Sequence, residues 1–332
     1  MKKLLFTALL GALMSPGSAL PASFASEAEV AAFIAEMQEK HGFDADFLRM
    51  RFARLQPNET VLRAIRPPAV PELQRSWERY RARFLNERRI AAGARFWADN
   101  EATLRRARET FGVPEEIIVA IIGVETEYGR NTGKFSVMQA LATLAFHYPP
   151  RATFFRGELE NYLLLAREND FDPLVLKGSY AGALGIPQFM PSSQRRFAVD
   201  FDGDGKVDLT RSRADAIGSV ASFLAQHGWV AGGRIAVPAA VSGDPAPLVA
   251  LGIKPERPFG EYIQAGVTAD GEAEAPAALI DLVSPEAPTE YWIGFQNFYV
   301  ITRYNRSSFY AMSVFQLAEA VRERHEQRAD GL

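Results

Sequence analysis

The sequence predicts a mainly α-helical protein of the α+β class, with an N-terminal helical region and a small β-containing insertion. Two observations predict this. Apolar residues recur at helical spacing from about residue 27 to 229. The spacing stops at residues 231–243, where glycine, proline and valine become frequent, and it returns near the C-terminus. With 332 residues, 48% of them hydrophobic, the chain is long enough for two or more compact units.

The first 25 residues have the pattern of a secretory signal peptide. MKK is a short basic start, and LLFTALLGALM is an apolar run too short to span a bilayer comfortably. Small residues follow, so cleavage is expected after Ala19, Ala22 or Ala25. The sequence therefore predicts export, with a membrane anchor as the alternative.

The chain has no cysteine and a net charge of −3. Disulfide bonds, thiolate metal ligands and lipid attachment to a cysteine are therefore excluded. The arginines between residues 79 and 108 are interleaved with acids and alanines, which is typical of exposed helix faces and not of a nucleic-acid surface. A soluble protein of the bacterial periplasm is the simplest interpretation.

The predicted elements follow in order along the chain. Helices are predicted at residues 28–42, 76–112, 154–170, 214–229 and 309–328, and one more begins at Pro114. RPPAVP, residues 66–71, predicts a break. Short strands and turns are predicted from 231 to about 303, including AALIDLV and EYWIGFQNFYVIT, with an exposed loop at 266–277.

A glutamate lies in the middle of the apolar helix in VPEEIIVAIIGVETEYG, residues 113–129. Ile118, Ile122 and Glu125 fall on one helical stripe, and Glu127 lies roughly 200° away around the axis. We therefore expect Glu125 to be held against the core and Glu127 to be solvated. Burial raises the pKa of a carboxyl group, which makes Glu125 a candidate general acid. A structural glutamate paired with an arginine or with backbone amides is the alternative.

LKGSYAGALGIPQFMPSS, residues 176–193, combines glycines with polar and apolar side chains. The glycines let a ligand approach the backbone closely. Ser179 and Gln188 can form hydrogen bonds with a sugar, and Phe189 and Met190 offer it an apolar surface. The stretch therefore predicts a sugar site, with a glycine-rich turn between helices as the alternative.

DFDGDGKVDLTRSRAD, residues 200–215, has the pattern of an EF-hand calcium loop. Its twelfth position is Arg211 where the pattern has a glutamate, so we expect Asp215 to close a lengthened loop. The predicted ligands are Asp200, Asp202, Asp204, the carbonyl of Lys206, and Asp215. A structural Ca²⁺ is expected and no organic cofactor; a charged surface turn is the alternative.

YWIGFQNFYVITRYNRSSFY, residues 291–310, is rich in aromatic side chains. Tyr304, Asn305 and Tyr310 fall where the predicted strand becomes a helix, a position that can face a groove. The alternative is that all of these side chains pack in the core.

Several stretches, taken in order, resemble the B-type membrane-bound lytic murein transglycosylases. They are IIGVETEYGRNTG, ALATLAFHYPPRATFFRGELENYLLLAREND, GSYAGALGIPQFMPSS, DFDGDGKVDL, DAIGSVASFLAQHGW and FYVITRYNRSSFYAMSV, and the resemblance covers about residues 28–322. It implies a lysozyme-like helical core with a groove for peptidoglycan glycan strands, and it implies that Glu125 is catalytic. The substrate contacts that it implies are Ser179, Gln188, Phe189, Met190, Tyr304, Asn305, Tyr310, Tyr80 and Arg151.

The motifs and the resemblance together predict a division of the chain. It has a signal peptide at 1–25, an N-terminal helical domain at 26–112, a lysozyme-like catalytic core at 113–230 with the calcium loop at 200–215, a small β-containing region at 231–303, and a C-terminal helix at 304–332. Anchored members of the family carry a cysteine after the signal, and this chain has none, so we expect a soluble periplasmic protein.

The resemblance implies cleavage of the β-1,4 bond between N-acetylmuramic acid and N-acetylglucosamine, with a 1,6-anhydromuramyl product. Glu125 would act first as an acid and then as a base. Glu158 and Glu160 lie on a separate predicted helix, so no second carboxylate is assigned. A hydrolytic muramidase and a non-catalytic peptidoglycan-binding scaffold remain as alternatives. We expect a monomer without nucleic-acid partners, and other cell-wall enzymes remain open as partners.

Overall fold

The computed structural model describes residues 23–24, 27–67, 76–329 and 331. Most of the predicted signal peptide and of the predicted break at 66–71 lies outside these described residues. The chain divides into two compact units, one that ends at Pro57 and one that starts at Asn58. The finer domain bounds given above stay a prediction.

The first unit contains helix α1 (Ala28–His41) and helix α2 (Ala45–Phe52). Helix α1 ends because Gly42 adopts a left-handed conformation with φ of 66°, from which its N–H donates back to the last turn. The rings of Phe33 and Phe52 pack edge to face at 6.1 Å between centroids, which joins the two helices.

In its described part, the second unit begins with four helices. They are α3 (Glu59–Ile65), α4 (Trp77–Ala82), α5 (Glu87–Asp99) and α6 (Glu101–Phe111). The long helical segment predicted at 76–112 is therefore three helices. Two asparagines divide the segment. The Asn86 side chain accepts from the N–H of Arg89 and so starts α5, and Asn100 separates α5 from α6.

Helix α7 (Glu115–Thr126) lies at the centre of this unit. It is apolar on all sides, and every residue from Ile117 to Gly123 is buried. It packs against α5, α6, α11 (Arg213–Gln226) and α15 (Ser308–Ala329). Glu125 thus stands near the end of a helix that the core surrounds.

The remaining helices of the core follow α7. They are α8 (Val137–His147), α9 (Ala152–Glu168), α10 (Pro191–Phe197) and α14 (Gln296–Tyr304), with a 3-10 turn at Pro149–Arg151. Two short antiparallel strands, β1 (Phe135–Ser136) and β2 (Lys177–Gly178), connect the start of α8 to the glycine-rich stretch.

The β-containing insertion forms a five-stranded sheet in the order β4-β6-β7-β3-β5. Its elements are β3 (Ala236–Val241), α12 (Ala246–Val249), β4 (Arg257–Pro258), α13 (Phe259–Gln264), β5 (Val267–Ala269), β6 (Pro276–Ser284) and β7 (Ala287–Gly294). Alternate residues of β6 face opposite sides: Ile280 packs into the helical core, and Leu279 packs with Phe259 of α13. The sheet therefore joins the helical core on one face.

One prediction in this region is wrong and another is right only for residues 270–275. The segment FQNFYVIT is not strand, because residues from Gln296 onward form α14, with Phe298, Ile301 and Thr302 buried at helical spacing. The exposed loop predicted at 266–277 contains β5 and the first residues of β6. Short apolar runs fit a strand and a buried helix equally well, which explains the first error.

The mainly helical fold class with a small sheet is confirmed. Within the part of the chain that the structure describes, no helix has both the length and the apolar character that a bilayer span requires.

Candidate active site

Glu125 lies in the last turn of α7, immediately before the chain reverses direction. The helix ends at Thr126, and the next two residues, Glu127 and Tyr128, have φ of 51° and 62°. Left-handed conformations are uncommon in residues other than glycine, and they cluster at functional sites. The chain therefore turns back directly after Glu125 and Thr126.

Burial and one hydrogen bond define the state of the Glu125 carboxyl group. The Tyr310 hydroxyl donates to its Oε1 at 2.7 Å. Burial raises the pKa of Glu125 from its ordinary value of 4.5 to about 7, and the bond from Tyr310 opposes this rise. A carboxyl group with such a pKa exists in both protonation states near neutral pH, as an acid–base catalyst requires.

Three tyrosines surround this carboxyl group. The rings of Tyr304 and Tyr310 stack with centroids 6.4 Å apart, and the Tyr304 hydroxyl donates to the carbonyl of Pro187 at 2.6 Å. Burial and the charge of Glu125 raise the pKa of Tyr80, Tyr304 and Tyr310 above the ordinary value, so all three stay neutral and can donate hydrogen bonds. These predicted residues are brought together with Glu125.

The glycine-rich stretch reaches the same place through Pro187 and Phe189. Phe189 is only 2% exposed, and its ring lies 5.7 Å from that of Tyr304. Phe189 therefore packs against the tyrosines from the core side. The sequence predicts instead that it offers an open apolar surface to the sugar. Met190 is half-buried and directly precedes α10.

Ser179 and Gln188 shape the backbone of this stretch. The Ser179 hydroxyl accepts from the N–H groups of Ala181 and Ala183 at 3.2 and 3.0 Å. Gln188 has φ of 53°, and its amide nitrogen donates to two carbonyls, those of Thr132 and Gly185. Both side chains are half-buried, so each supports the loop while part of its surface stays accessible.

Two of the predicted substrate contacts are placed differently. Arg151 is exposed, and its guanidinium carbon lies 4.4 Å from the ring centroid of Phe154. Asn305 is exposed at the end of α14. Among the described residues, neither side chain forms a hydrogen bond, an ion pair or a ring contact with Glu125 or its tyrosines.

The prediction that Glu127 is solvated is wrong. Its side chain is only 4% exposed, and its carboxylate lies 2.7 Å from the guanidinium of Arg88, with Arg130 and Asn131 also in contact. The prediction used the angle between Glu125 and Glu127 around a helix axis. That angle does not apply to Glu127, because α7 ends one residue earlier, at Thr126. Glu127 instead holds the reversed chain against the neighbouring arginines.

Burial raises the pKa of Glu125 and the bond from Tyr310 lowers it, with no contribution from a second acid among the described residues. Glu158, a buried carboxylate of α9, has both oxygens engaged. Its Oε2 accepts from the N–H of Ser192 at 3.0 Å, and its Oε1 accepts from the Ser192 hydroxyl at 2.6 Å. Glu158 therefore fastens α10 to α9.

The acidic loop, defined here as residues 200–209, brings together three of the predicted calcium ligands. Oxygens of Asp200, Asp202 and Asp204 lie within 4.8 Å of one another. The loop curls around them, because the N–H groups of Gly203 and Gly205 both donate to Asp200 at 2.8 Å. Carboxylate oxygens at this spacing are suitable ligands for a hard cation such as Ca²⁺.

Asp215 does not join this cluster. It is 1% exposed, and its oxygens accept from three backbone N–H groups, those of Phe201, Asp202 and Asp208. Asp215 therefore holds the two ends of the loop together from the inside. The Lys206 N–H donates to the Asp204 carboxylate at 2.9 Å, so this residue stays next to the cluster.

A pocket of about 520 Å³ lies beside the acidic loop. It is lined by the end of α9 and the loop after it, by Leu184 and Gln194, and by residues 205–211. Glu125 and its tyrosines do not line this pocket, so it is separate from the candidate active site.

Comparison with known proteins identifies the family of the chain. Residues 25–319 match the family described as transglycosylase SLT domain. Membrane-bound lytic murein transglycosylase B of Escherichia coli is 43% identical over 318 residues, which are 90% of this chain and 84% of that protein.

Solved structures agree with this relationship. The soluble lytic transglycosylase SltB1 of Pseudomonas aeruginosa is 46% identical, with a TM-score of 0.83 over 92% of this chain and all of that one. The Escherichia coli lytic transglycosylase Slt35, solved in complex with calcium, is 41% identical, with a TM-score of 0.82 over 93% of this chain and 97% of that one.

The prediction of a soluble periplasmic protein is contradicted. The Escherichia coli relative is named as membrane-bound, and it matches nine-tenths of this chain. The absence of a cysteine excludes lipid attachment to a cysteine but no other route to a membrane, so it does not establish that the protein is soluble.

Proposed function

The chain belongs to the transglycosylase SLT-domain family and is a lytic transglycosylase of peptidoglycan, and from this premise we propose that Glu125 alone performs its proton transfers. The family predicted from the sequence motifs is confirmed. The observation that carries the proposal is the carboxyl group of Glu125, with a pKa raised to about 7 by burial and a hydrogen bond from Tyr310. Such a group can give up a proton and take one back at the same pH.

In the first step, protonated Glu125 donates to the oxygen that leaves C1 of the N-acetylmuramic acid residue. The carbonyl oxygen of the substrate's own N-acetyl group attacks C1 as that bond breaks. This attack takes the place of the second carboxylate that most glycosidases use. The engagement of Glu158 with Ser192 supports the assignment, because the buried acid of α9 is already committed.

In the second step, the ionised Glu125 takes the proton of the C6 hydroxyl of the same sugar. The oxygen of that hydroxyl attacks C1 and displaces the N-acetyl oxygen, which closes a 1,6-anhydro ring. Over both steps the bond from C1 to the leaving oxygen is exchanged for a bond from C1 to O6. One proton moves from O6 to the leaving oxygen through Glu125, and no water is consumed.

The neutral tyrosines support this cycle. The Tyr310 hydroxyl holds one oxygen of Glu125 and stabilises the carboxylate that exists between the two steps. Tyr304 fixes the position of the glycine-rich stretch through the Pro187 carbonyl. Ser179, Gln188 and Met190 keep part of their surface accessible on that stretch, so we assign them to glycan binding.

Product analysis tests the proposal. Peptidoglycan digested in water labelled with heavy oxygen should give 1,6-anhydromuramyl ends that carry no label, because no water enters the bond. Mass spectrometry of the muropeptides measures this. One labelled oxygen per cleavage would instead identify a hydrolytic muramidase. No release of dye from labelled sacculi would identify a binding scaffold without turnover.

The acidic loop is assigned to Ca²⁺, which would be held by Asp200, Asp202 and Asp204. The three carboxylates fit a hard divalent cation by oxygen chemistry and by their spacing. The related Slt35 was solved with calcium, which supports the same assignment. The ion would stabilise the loop and take no part in bond cleavage.

Calcium is expected to raise the unfolding temperature of the protein above its value in EDTA. An ion that binds only the folded state contributes about 2.7 kcal/mol at a concentration about 100 times its Kd. Differential scanning calorimetry measures the shift, which Asp204→Asn should reduce. Asp270→Asn, at an exposed carboxylate outside the loop, is the control that should keep it. Equal unfolding temperatures in calcium and in EDTA would contradict the assignment.

A further inference from the structure

Thr126, the residue after Glu125, has a buried hydroxyl that is engaged on both sides. Its side chain is 1% exposed. The hydroxyl donates to the carbonyl of Ile186 at 2.7 Å and accepts from the N–H of Gly129 at 2.9 Å. A hydroxyl has one donor hydrogen, and the carbonyl of Ile122, one turn back, is farther away at 3.3 Å. The shorter bond of the hydroxyl is therefore the one to Ile186, outside the helix.

Ile186 belongs to the glycine-rich stretch and is itself fixed. Its N–H donates to the carbonyl of Leu209 at 2.8 Å, at the end of the acidic loop. The preceding Gly185 passes so close to Leu209 that a Cβ there would lie 2.4 Å from the same carbonyl oxygen. The Thr126 hydroxyl thus fastens the end of α7 to a segment with little freedom to move.

We propose that Thr126 is a positioning residue, which holds Glu125 at a fixed distance from the glycine-rich stretch. The inference rests on the proposed role of Glu125. The last turn of α7 accepts backbone hydrogen bonds from Glu127 and Asn131, and the Thr126 hydroxyl adds a bond from this turn to the glycine-rich stretch. A shift of about 1 Å in a reacting group can cost about 100-fold in rate. The glycan would lie against the glycine-rich stretch, so this tie fixes the acid relative to its substrate.

Three substitutions at Thr126 distinguish the effect of the hydroxyl on activity from the effect of the side-chain shape. Thr126→Val keeps the shape and removes the hydroxyl. Thr126→Ser keeps the hydroxyl and removes a methyl group. Thr126→Cys replaces the hydroxyl with a poor donor, and it serves if the valine variant does not fold. Thr143→Val is the matched control, because Thr143 is also buried, and its hydroxyl likewise donates to one carbonyl, that of Gln139, and accepts from one distant N–H, that of Asn58.

Thr126→Val is expected to lower kcat by about 10- to 100-fold with little change in KM, because the acid is displaced while the glycan surface remains. The alkaline limb of its pH profile should move to lower pH, since a looser Glu125 is less fully buried. Tyr80, Tyr304 and Tyr310 titrate far above this limb, so the limb reports Glu125. Thr126→Ser should restore both kcat and the limb, and Thr126→Cys should lie between.

The proposal is overturned by wild-type kcat in Thr126→Val or in a folded Thr126→Cys. It is also overturned if Thr126→Ser is as slow as Thr126→Val. A third contradicting result is that Thr126→Val and Thr143→Val lower the unfolding temperature equally and also lower kcat equally. Failure of the proposed function is a separate result. It would appear as turnover by Glu125→Gln, whereas this inference fails when Glu125→Gln is inactive and Thr126→Val is fully active.

Discussion

Glu125→Gln is expected to lower turnover of peptidoglycan by about 1,000-fold or more while the protein stays folded and binds glycan. Glutamine keeps the size of the side chain and can accept the hydrogen bond from Tyr310, but it cannot transfer a proton. The proposal assigns both proton transfers to this one carboxyl group, so both steps are lost together. Release of soluble muropeptides measures turnover, and co-sedimentation with sacculi measures binding.

The same variant should show a pH-dependent gain in stability. The folded-state pKa of Glu125 is about 7, against an ordinary value of 4.5, so the folded state binds the proton more tightly than the unfolded chain does. Ionisation therefore destabilises the wild type increasingly as the pH rises from about 4.5 through about 7. Glutamine does not ionise, so Glu125→Gln should become more stable relative to wild type over this range.

Glu158→Gln is the matched control for the missing turnover. Glu158 is also a buried carboxylate, but its oxygens accept from the N–H and hydroxyl of Ser192. This variant should lose stability and keep turnover at temperatures where it is folded. A folded Glu158→Gln with the same loss of turnover as Glu125→Gln would contradict the single-carboxylate account.

Asp215→Ala is expected to destabilise the protein more than any other single substitution considered, by about 3 kcal/mol or more, because hydrogen bonds to a charged acceptor contribute about 1.5–3 kcal/mol each. The carboxylate is buried and accepts from the N–H groups of Phe201, Asp202 and Asp208. Alanine leaves these amides unpaired at both ends of the acidic loop. Urea unfolding measures the loss in the free energy of unfolding.

Asp270→Ala is the control for this loss. Asp270 is an exposed acid that pairs with Arg234, and exposed ion pairs contribute little, so the change should stay below about 1 kcal/mol. Equal stabilities of Asp215→Ala and Asp270→Ala would show that the buried contacts of Asp215 do not hold the loop.

The features that local sequence determines could be predicted. The apolar pattern around Glu125 predicted a buried helix, and the spacing of Asp200, Asp202 and Asp204 predicted their cluster. Both follow from residues close together in sequence. Tyr304 and Tyr310 of the aromatic stretch lie beside Glu125, but they belong to two helices and not to a strand followed by a helix.

The errors concern features that depend on distant residues or on where an element ends. Glu127 was placed by extending a helix that stops at Thr126, and its partner Arg88 is far away in sequence. The bonds from the Asp215 carboxylate to backbone amides could not be predicted either, because they form only when the loop closes. The tie from Thr126 to Ile186 joins segments sixty residues apart, and nothing in the local pattern indicates it.

The central claim is that Glu125 keeps its proton until near neutral pH, and titration of its carboxyl carbon by NMR tests this most directly. Protein labelled with carbon-13 in its glutamate side chains would be titrated, and the resonance that disappears in Glu125→Gln assigns the signal. The account predicts a midpoint of about 7. A midpoint near the ordinary value of 4.5 would contradict it.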